Sequence, residues 1–240
     1  MAGPTLHEEI PMSTSLTWYG HSNFLLSADG VSVLIDPFFT HNPTCPAGWD
    51  AVHPDLVLVT HDHGDHVGDA VAICKNTGAV CGCVVGTAEK LIQAGIPSEQ
   101  IPGGIGFNIG GTITVKNVRV TMTQAFHSSD SGVPTGFVIT MPNGFTCYHA
   151  GDTGIFSSMG MLGLLYPLDL ALLPIGGFFT MDAEQAAHAT RLLNPAAVVP
   201  MHWGTFPILA QTPDEFADKL SEQAPRTRLT VMRPGMTLEF

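Results

Sequence analysis

Positive charge is scarce in this chain. Nine lysines and arginines face 21 aspartates and glutamates, a net charge of −12, and a surface of that sign repels nucleic acid in general. Long apolar runs are missing too. The most membrane-like stretch, Met159 to Phe179, is interrupted by Pro167, Asp169 and Pro174, whereas a spanning helix needs about 20 mostly apolar residues without such breaks. It reads as a loop and a buried strand, with no membrane span. Residues 1–14 lack the apolar core of a signal peptide and read as a loose tail. The five cysteines, Cys45, Cys74, Cys81, Cys83 and Cys147, are odd in number and lack metal-site spacing. Cys81 and Cys83, two apart in a strand-like run, fit buried packing. With the missing signal, this points to a reducing cytoplasm. No Pro/Gly/Ser linker divides the chain: the segments Thr40 to Trp49 and Ile96 to Gly106 are rich in these residues, but each lies between elements of one fold. With 240 residues, 45% hydrophobic and 12% charged, one domain over 15–240 has enough apolar side chains for its core.

What the chain does have is a cluster of metal-binding side chains. The apolar run Leu56-Val57-Leu58-Val59-Thr60 leads directly into His61-Asp62-His63-Gly64-Asp65-His66, three imidazoles and two carboxylates in six residues. A buried strand would deliver this segment to a sheet end. In extended chain, side chains two apart face the same way, so His61 and His63 can grip one ion. Asp65 and His66 fall where the chain should bend into a helix over Val67 to Lys75, and can face a second ion nearby. Imidazole and carboxylate are the usual ligands of zinc and of first-row metals in hydrolases.

Two ions need more ligands than one loop supplies, and three further strand ends offer them. Val118 to Gln124 alternates as a strand and runs to His127. Phe145 to Ala150 reads as a strand, followed by a tight turn with Asp152 at its tip. Ala196 to Met201 reads as a buried strand that ends at His202. Ligands in α/β folds gather at the carboxyl ends of strands, and the repetition of strand followed by ligand outweighs the reading of each residue as a turn cap.

His61-x-His63-x-Asp65-His66, then His127, Asp152 and His202, resemble the complete ligand set of the metallo-β-lactamase superfamily. Gly20-His21-Ser22, Leu34-Ile35-Asp36-Pro37, Gly151-Asp152-Thr153 and Met201-His202-Trp203-Gly204 look more narrowly like its small metal-dependent hydrolases, relatives of L-ascorbate-6-phosphate lactonase. The resemblance spans about Ser15 to Phe240. It implies an α/β fold, a four-layer αββα sandwich with the site between two sheets. The sequence agrees in outline, with strand-like runs at Leu16 to Tyr19, Asn23 to Ser27 and Val31 to Ile35, and helices near Thr87 to Ala94, Asp182 to Leu193 and Pro213 to Gln223. The resemblance assigns His61, His63 and His127 to a first divalent ion, Asp65, His66 and His202 to a second, and Asp152 as a bridge. Zinc is favoured, and manganese or iron also suits these ligands. Two cations about 3.5–4 Å apart can share a water and turn it into a hydroxide nucleophile at neutral pH. The implied activity is hydrolysis of an ester, lactone or phosphoester, with Asp65, Asp152 and His21 as the catalytic residues.

Around these ligands the sequence is apolar: Phe38 and Phe39, Phe178 and Phe179, Trp203 and Phe206. Packing at the sheet ends and an aromatic-walled cleft are equally good readings. No lysine or arginine is adjacent in sequence to a ligand loop, Lys75 and Arg119 being the nearest, and there is no room for the RNA-binding arm or domain that nuclease members carry. A small-molecule substrate is therefore the expected partner, and a homo-oligomer is compatible with the reading. Asp36 can fix a ligand histidine's tautomer or serve as a turn residue, and His21 can contact substrate, shuttle a proton or be a buried structural group. Asp182 opens Asp-Ala-Glu-Gln185, an N-cap pattern. Two other functions fit the ligand set less well: a diiron redox protein, whose relatives usually have a glutamate where His63 stands and a flavin-bearing domain, and a metal-binding regulator without turnover.

Overall fold

The strand that leads into the ligand segment is buried on both faces, and that dictates layers outside the sheet as well as beside it. In the computed structural model, which describes residues 13–240, six strands pair in the order β13-β1-β2-β3-β4-β5: β1 (Ser15–Trp18), β2 (Phe24–Ala28), β3 (Val31–Ile35), β4 (Leu56–Leu58), β5 (Val80–Gly82) and β13 (Thr237–Glu239). A second sheet runs β12-β11-β10-β9-β8-β7-β6: β6 (Thr112–Val115), β7 (Val118–Gln124), β8 (Thr135–Thr140), β9 (Thr146–His149), β10 (Leu170–Pro174), β11 (Ala197–Met201) and β12 (Arg228–Leu229). In each sheet the strands nearest the middle of the chain's crossovers are parallel, β3 to β5 and β9 to β12.

Side-chain alternation separates the layers. Leu56 and Leu58 of β4 join Val118, Val120 and Met122 of β7 in the core between the sheets, while Val57 faces the other way with Ile73, Cys74 and Leu91. That outer face is covered by α2 (Ala70–Thr77) and α3 (Val85–Gln93). The outer face of the second sheet, with Ala171, Leu173 and Val198, packs against α4 (Met159–Leu165), α5 (Ala183–Leu193) and α6 (Asp214–Gln223). The result is the four-layer αββα sandwich. Each large apolar side chain so buried contributes about 1.5–3 kcal/mol; Cys74, Cys81 and Cys83 are fully buried alongside them as free thiols.

Three expectations are corrected. The helix expected over Val67 to Lys75 is two: α1 (Gly64–Val67) and α2, broken at Gly68. A side chain there would meet the Pro37 carbonyl at 2.3 Å, so the close approach of the two backbones bends the chain. The stretch from Met159 to Phe179 contains a helix, α4, as well as strand β10; no helix among the described residues is long and apolar enough to cross a membrane. Of the tail expected at 1–14, residues 1–12 lie outside the described residues. Thr14 is fully buried and trades backbone hydrogen bonds with Phe240 at 3.2 and 2.9 Å. Asp182 caps α5 as its sequence predicts, its carboxylate accepting from Gln185 N at 2.8 Å.

Candidate metal centre

Every strand that carries a candidate ligand ends at the same edge of the sandwich. His61 follows β4, His127 follows β7, Asp152 follows β9 and His202 follows β11, so both sheets deliver ligands into one place. Backbone bonds cross between the sheets there: Thr135 N to Thr60 O at 3.0 Å, and His202 N to His21 O at 3.1 Å. His149, which alternation turns away from the turn, adds a third tie. Its Nε2 stands 3.0 Å from the Ser22 carbonyl while Nδ1 accepts from Gly151 N at 3.1 Å, an arrangement that requires the proton on Nε2. His21, Asp36 and His202 all take positive φ, 55°, 46° and 59°, a conformation that costs a non-glycine residue about 1–3 kcal/mol and concentrates at functional sites.

Hydrogen bonds set the histidine tautomers. Asp36 is fully buried and accepts from Thr60 N (2.8 Å), Thr60 Oγ1 (2.7 Å) and His66 Nδ1 (2.7 Å). Since the Thr60 hydroxyl gives its proton to Asp36, it can only accept from His61 Nδ1, 3.0 Å away. Both imidazoles therefore carry a proton on Nδ1 and turn Nε2 inward, toward the other candidate ligands. His61 Nε2 faces His63 Nδ1 at 2.9 Å.

The inward atoms form two groups. The ligand atoms of His61, His63 and His127 lie within 4.8 Å of one another, and so do those of His21, Asp65, His66 and His202; Asp152 joins His61 and His66 in a group that spans the two. One Asp152 oxygen, Oδ2, is 2.9 Å from His202 Nε2, 3.3 Å from His66 Nε2 and 3.6 Å from His127 Nε2. The seven residues that the sequence singled out are thus brought together. Three of their buried atoms, His66 Nε2, Asp152 Oδ1 and His202 Nδ1, have no hydrogen-bond partner. Orphaned polar atoms in a buried cluster of imidazoles and carboxylates fit a divalent cation.

The electrostatics point the same way. Burial, together with the neighbouring imidazoles of His66 and His63, drives His61 far below the ordinary histidine range, so it is neutral. Burial also lowers His127. For Asp152, burial works in the opposite sense, but His202 and His66 beside it hold its carboxyl well below the usual range. Asp65 is likewise held low against its burial by the hydrogen bond from His21 Nε2 at 3.1 Å. Neutral imidazoles and ionised carboxylates are the forms that bind metal. His66 differs: against its burial, Asp152 and Asp36 on either side raise it well above the usual value.

His21 is fully buried, with Nδ1 3.1 Å from Thr205 Oγ1 and its ring 4.0 Å from that of His202. Burial pushes its pKa down to about 4, with the nearby His202 acting in the same direction. It stands behind Asp65 and His202 rather than on the cavity wall. Asp62, the second carboxylate of the motif, turns away from the candidate ligand atoms. It accepts from Lys90 Nζ (2.7 Å), Ser129 Oγ (2.6 Å), Asp130 N (2.8 Å) and Ser131 Oγ (2.7 Å), and so ties the ligand loop to the segment after His127. Lys90 lies 28 residues away in sequence, so adjacency along the chain does not reveal the one basic residue bound to this loop's carboxylate.

A cavity of about 220 Å³ opens over the cluster, lined by His63, Asp65, His127, Ser128, Asp152, Phe179 and His202. Of the six aromatic residues considered, Phe179 lines it and Phe178 packs on Phe179 at 4.8 Å. Phe38 and Phe39 are buried, Phe38 against His21 and Phe39 against Tyr19. Trp203 packs on Trp18 at 5.5 Å with the rings tilted, and Phe206 packs on His21. The sheet-end packing reading holds for those four. Residues that sequence reasoning missed are Thr60, next to His61; Ser128, whose Oγ is 3.4 Å from His63 Nε2; and Gly176, where a Cβ would stand 2.8 Å from His202 Nδ1. Adjacency to His61 and His127 was the available signal for the first two. Nothing local marks Gly176.

Comparison with known proteins agrees with this geometry. The model of the β-lactamase superfamily domain matches residues 32–203. A UPF0173 metal-dependent hydrolase of Lawsonia intracellularis is 60% identical over 230 residues, 95% of this chain and 100% of its own length. One from Methanopyrus kandleri is 43% identical over 93% of this chain and 99% of its own. Among solved structures, Igni18, a metallo hydrolase from Ignicoccus hospitalis, superposes with a TM-score of 0.85 at 43% identity, covering 95% of this chain and 98% of its own.

Proposed function

The chain belongs to the metal-dependent hydrolases of the β-lactamase superfamily, and from that premise we propose that it hydrolyses an ester, lactone or phosphoester with a dinuclear centre. The observation that carries this reading is the position of Asp152 Oδ2, within 3.6 Å of imidazoles from both ligand groups. His61, His63 and His127 would hold one divalent ion, Asp65, His66 and His202 the other, with Asp152 between them; zinc suits these ligands, as do manganese and iron. Two such ions supply an activated water and hold the negative charge that develops on the scissile oxygen.

The chain's own residues prepare that chemistry. Asp36 and Thr60 keep the protons of His61 and His66 on Nδ1 and their Nε2 lone pairs inward. His21 fixes the rotamer of Asp65 from behind, and its buried ring keeps water from that side. On the open side, Ser128 and Phe179 are the wall residues outside the ligand set, one able to donate a hydrogen bond to substrate and the other to cover an apolar group. No lysine or arginine lines the cavity, and Lys90 is engaged by Asp62. This favours an acyl ester, a lactone or a singly charged phosphodiester over a substrate with several phosphates.

The test combines elemental analysis with a panel of esters, lactones and phosphodiesters. The native chain is expected to bind up to two ions and hydrolyse members of the panel, and His61→Ala with His63→Ala to lose metal and turnover together. Unchanged metal content in that double variant would refute the assignment. A clear preference, in kcat/KM, for the most highly phosphorylated of matched substrates would refute the substrate class.

A further inference from the structure

A second cavity, of about 350 Å³, lies on the outer face of the second sheet beneath α4. Its volume is within the range of small-molecule sites, about 300–1,000 Å³. Thr121 and Thr123 of β7, which alternate away from the core between the sheets, and Phe156 form its inner wall, and Met161, Leu162 and Leu165 of α4 its outer wall. The polar lining is uncharged, and the Gln124 amide and the Ser158 hydroxyl in it satisfy each other at 2.7 Å.

Two chain segments that line this cavity run on to the metal centre. Gln124 is three residues before His127, and Phe156 is four after Asp152. At about 3.3–3.6 Å per residue, the near end of the cavity is within roughly 10–14 Å of those ligands. On one of these segments Phe126 precedes His127; its ring packs on Phe156 at 5.5 Å and its backbone is held by the Asp152 loop, Phe126 N donating to Thr153 Oγ1 at 2.9 Å and Gly154 N to Phe126 O at 3.1 Å. Phe126 is nevertheless 62% exposed, and Met161 and Leu165 at the cavity's outer wall are 53% and 64% exposed. Clustered exposure of this kind marks a surface that something covers.

We propose that this cavity binds the apolar acyl or aryl group of the substrate, with Phe126 as the step between it and the metal centre. The inference rests on the hydrolase reading and narrows it to neutral esters with an extended apolar arm. The occupant is the substrate's arm because Gln124 and Phe156 of the cavity belong to the two chain segments that carry His127 and Asp152, and because the lining holds no charge.

The experiment uses the full metal-loaded chain and p-nitrophenyl esters from acetate to decanoate, with kcat/KM for each. In the native protein the value should rise about three- to fourfold for each methylene the cavity buries, then level off. Met161→Lys with Leu165→Lys, two changes at exposed positions that keep the fold, should flatten the series. A flat series in a native protein that hydrolyses the acetate overturns the inference and leaves the hydrolase reading standing. If no ester is turned over, binding decides. In the chain labelled at its methionine methyls, titration with octanamide, which cannot be confused with turnover, should shift Met161. Shifts confined to other methionines overturn the proposal. So does a self-association that moves Met161 with protein concentration and is abolished by the double variant, since a second copy of the chain would then be the occupant.

Discussion

Replacing Asp36 by asparagine tests the tautomer argument with an almost isosteric change. The native carboxylate accepts three hydrogen bonds, one on Oδ1 from Thr60 N and two on Oδ2 from the Thr60 hydroxyl and His66 Nδ1. An amide keeps one oxygen. If that oxygen takes the place of Oδ2, the new NH2 confronts the Thr60 backbone N–H, and a buried donor is left unmet at a cost of about 1–3 kcal/mol. If it takes the place of Oδ1, the NH2 faces Thr60 Oγ1 and His66 Nδ1. The Thr60 hydroxyl then turns to donate to His61 Nδ1, and both histidines must accept on Nδ1, which moves their protons to Nε2, the atoms proposed to bind metal. Both orientations have a measurable consequence. The first lowers the melting temperature of the metal-free chain by about 2–12 °C, at about 2–4 °C per kcal/mol for a chain of this length. The second weakens metal binding by about 10–100-fold, the usual effect of losing a partner behind a ligand histidine. Thermal unfolding and competitive zinc titration measure the two. A variant with native melting temperature and native metal affinity would show that Asp36 neither organises the loop nor selects the tautomers.

Asp152→Asn should disturb both ions and lose most activity, whereas His202→Ala should empty mainly the second group; two retained ions and near-native turnover in the Asp152 variant would end the bridging assignment. Asp62→Ala removes the acceptor for two hydroxyls and one backbone N–H, worth about 1 kcal/mol each, so about 3 kcal/mol and about 6–12 °C in melting temperature; Lys90, 47% exposed on its side chain, adds little. The bonds from Lys90 and the serines hold the Asp62 carboxyl well below its ordinary value against the effect of burial. The stabilisation is therefore complete above about pH 4, the unfolded value, and fades as the pH falls through the lower folded one. The gap between native and Asp62→Ala should close on acidification, and a gap that widens below pH 4 would contradict it. Gly176→Ala places a methyl 2.8 Å from His202 Nδ1 and 2.6 Å from His202 O, so metal content at the second group should drop while the far-ultraviolet circular dichroism stays native; full occupancy would show that His202 can move aside.

Some of this protein was determined within short stretches of chain. His61-Asp62-His63-Gly64-Asp65-His66 after a fully apolar run needs only strand geometry to put a ligand pair at a sheet end, and Asp182 needs only the next three residues to cap its helix. Strands β1 to β4, β7, β9 and β11 and helices α3, α5 and α6 were legible because apolar runs and period-2 and period-3.6 patterns are local, whereas the buried strand β8 was not read. Helix α4 was not: Met159-Gly-Met-Leu-Gly-Leu-Leu165 has no charge to mark an outer face and two glycines that weaken its helical propensity. Tertiary structure alone decided the rest. That Asp62 clamps the loop instead of joining the ligands follows from Lys90 and the 129–131 segment arriving from α3 and β7. That His66 and His61 share one tautomer depends on Asp36 and Thr60 being adjacent across β3 and β4. The gap at Gly176 and the cavity beneath α4 exist only once layers are packed. A residue type and its spacing limit what a side chain can bind, but which atoms face it is set by chain segments that meet only after folding, because hydrogen bonds and packing act over a few ångströms of space regardless of separation along the chain.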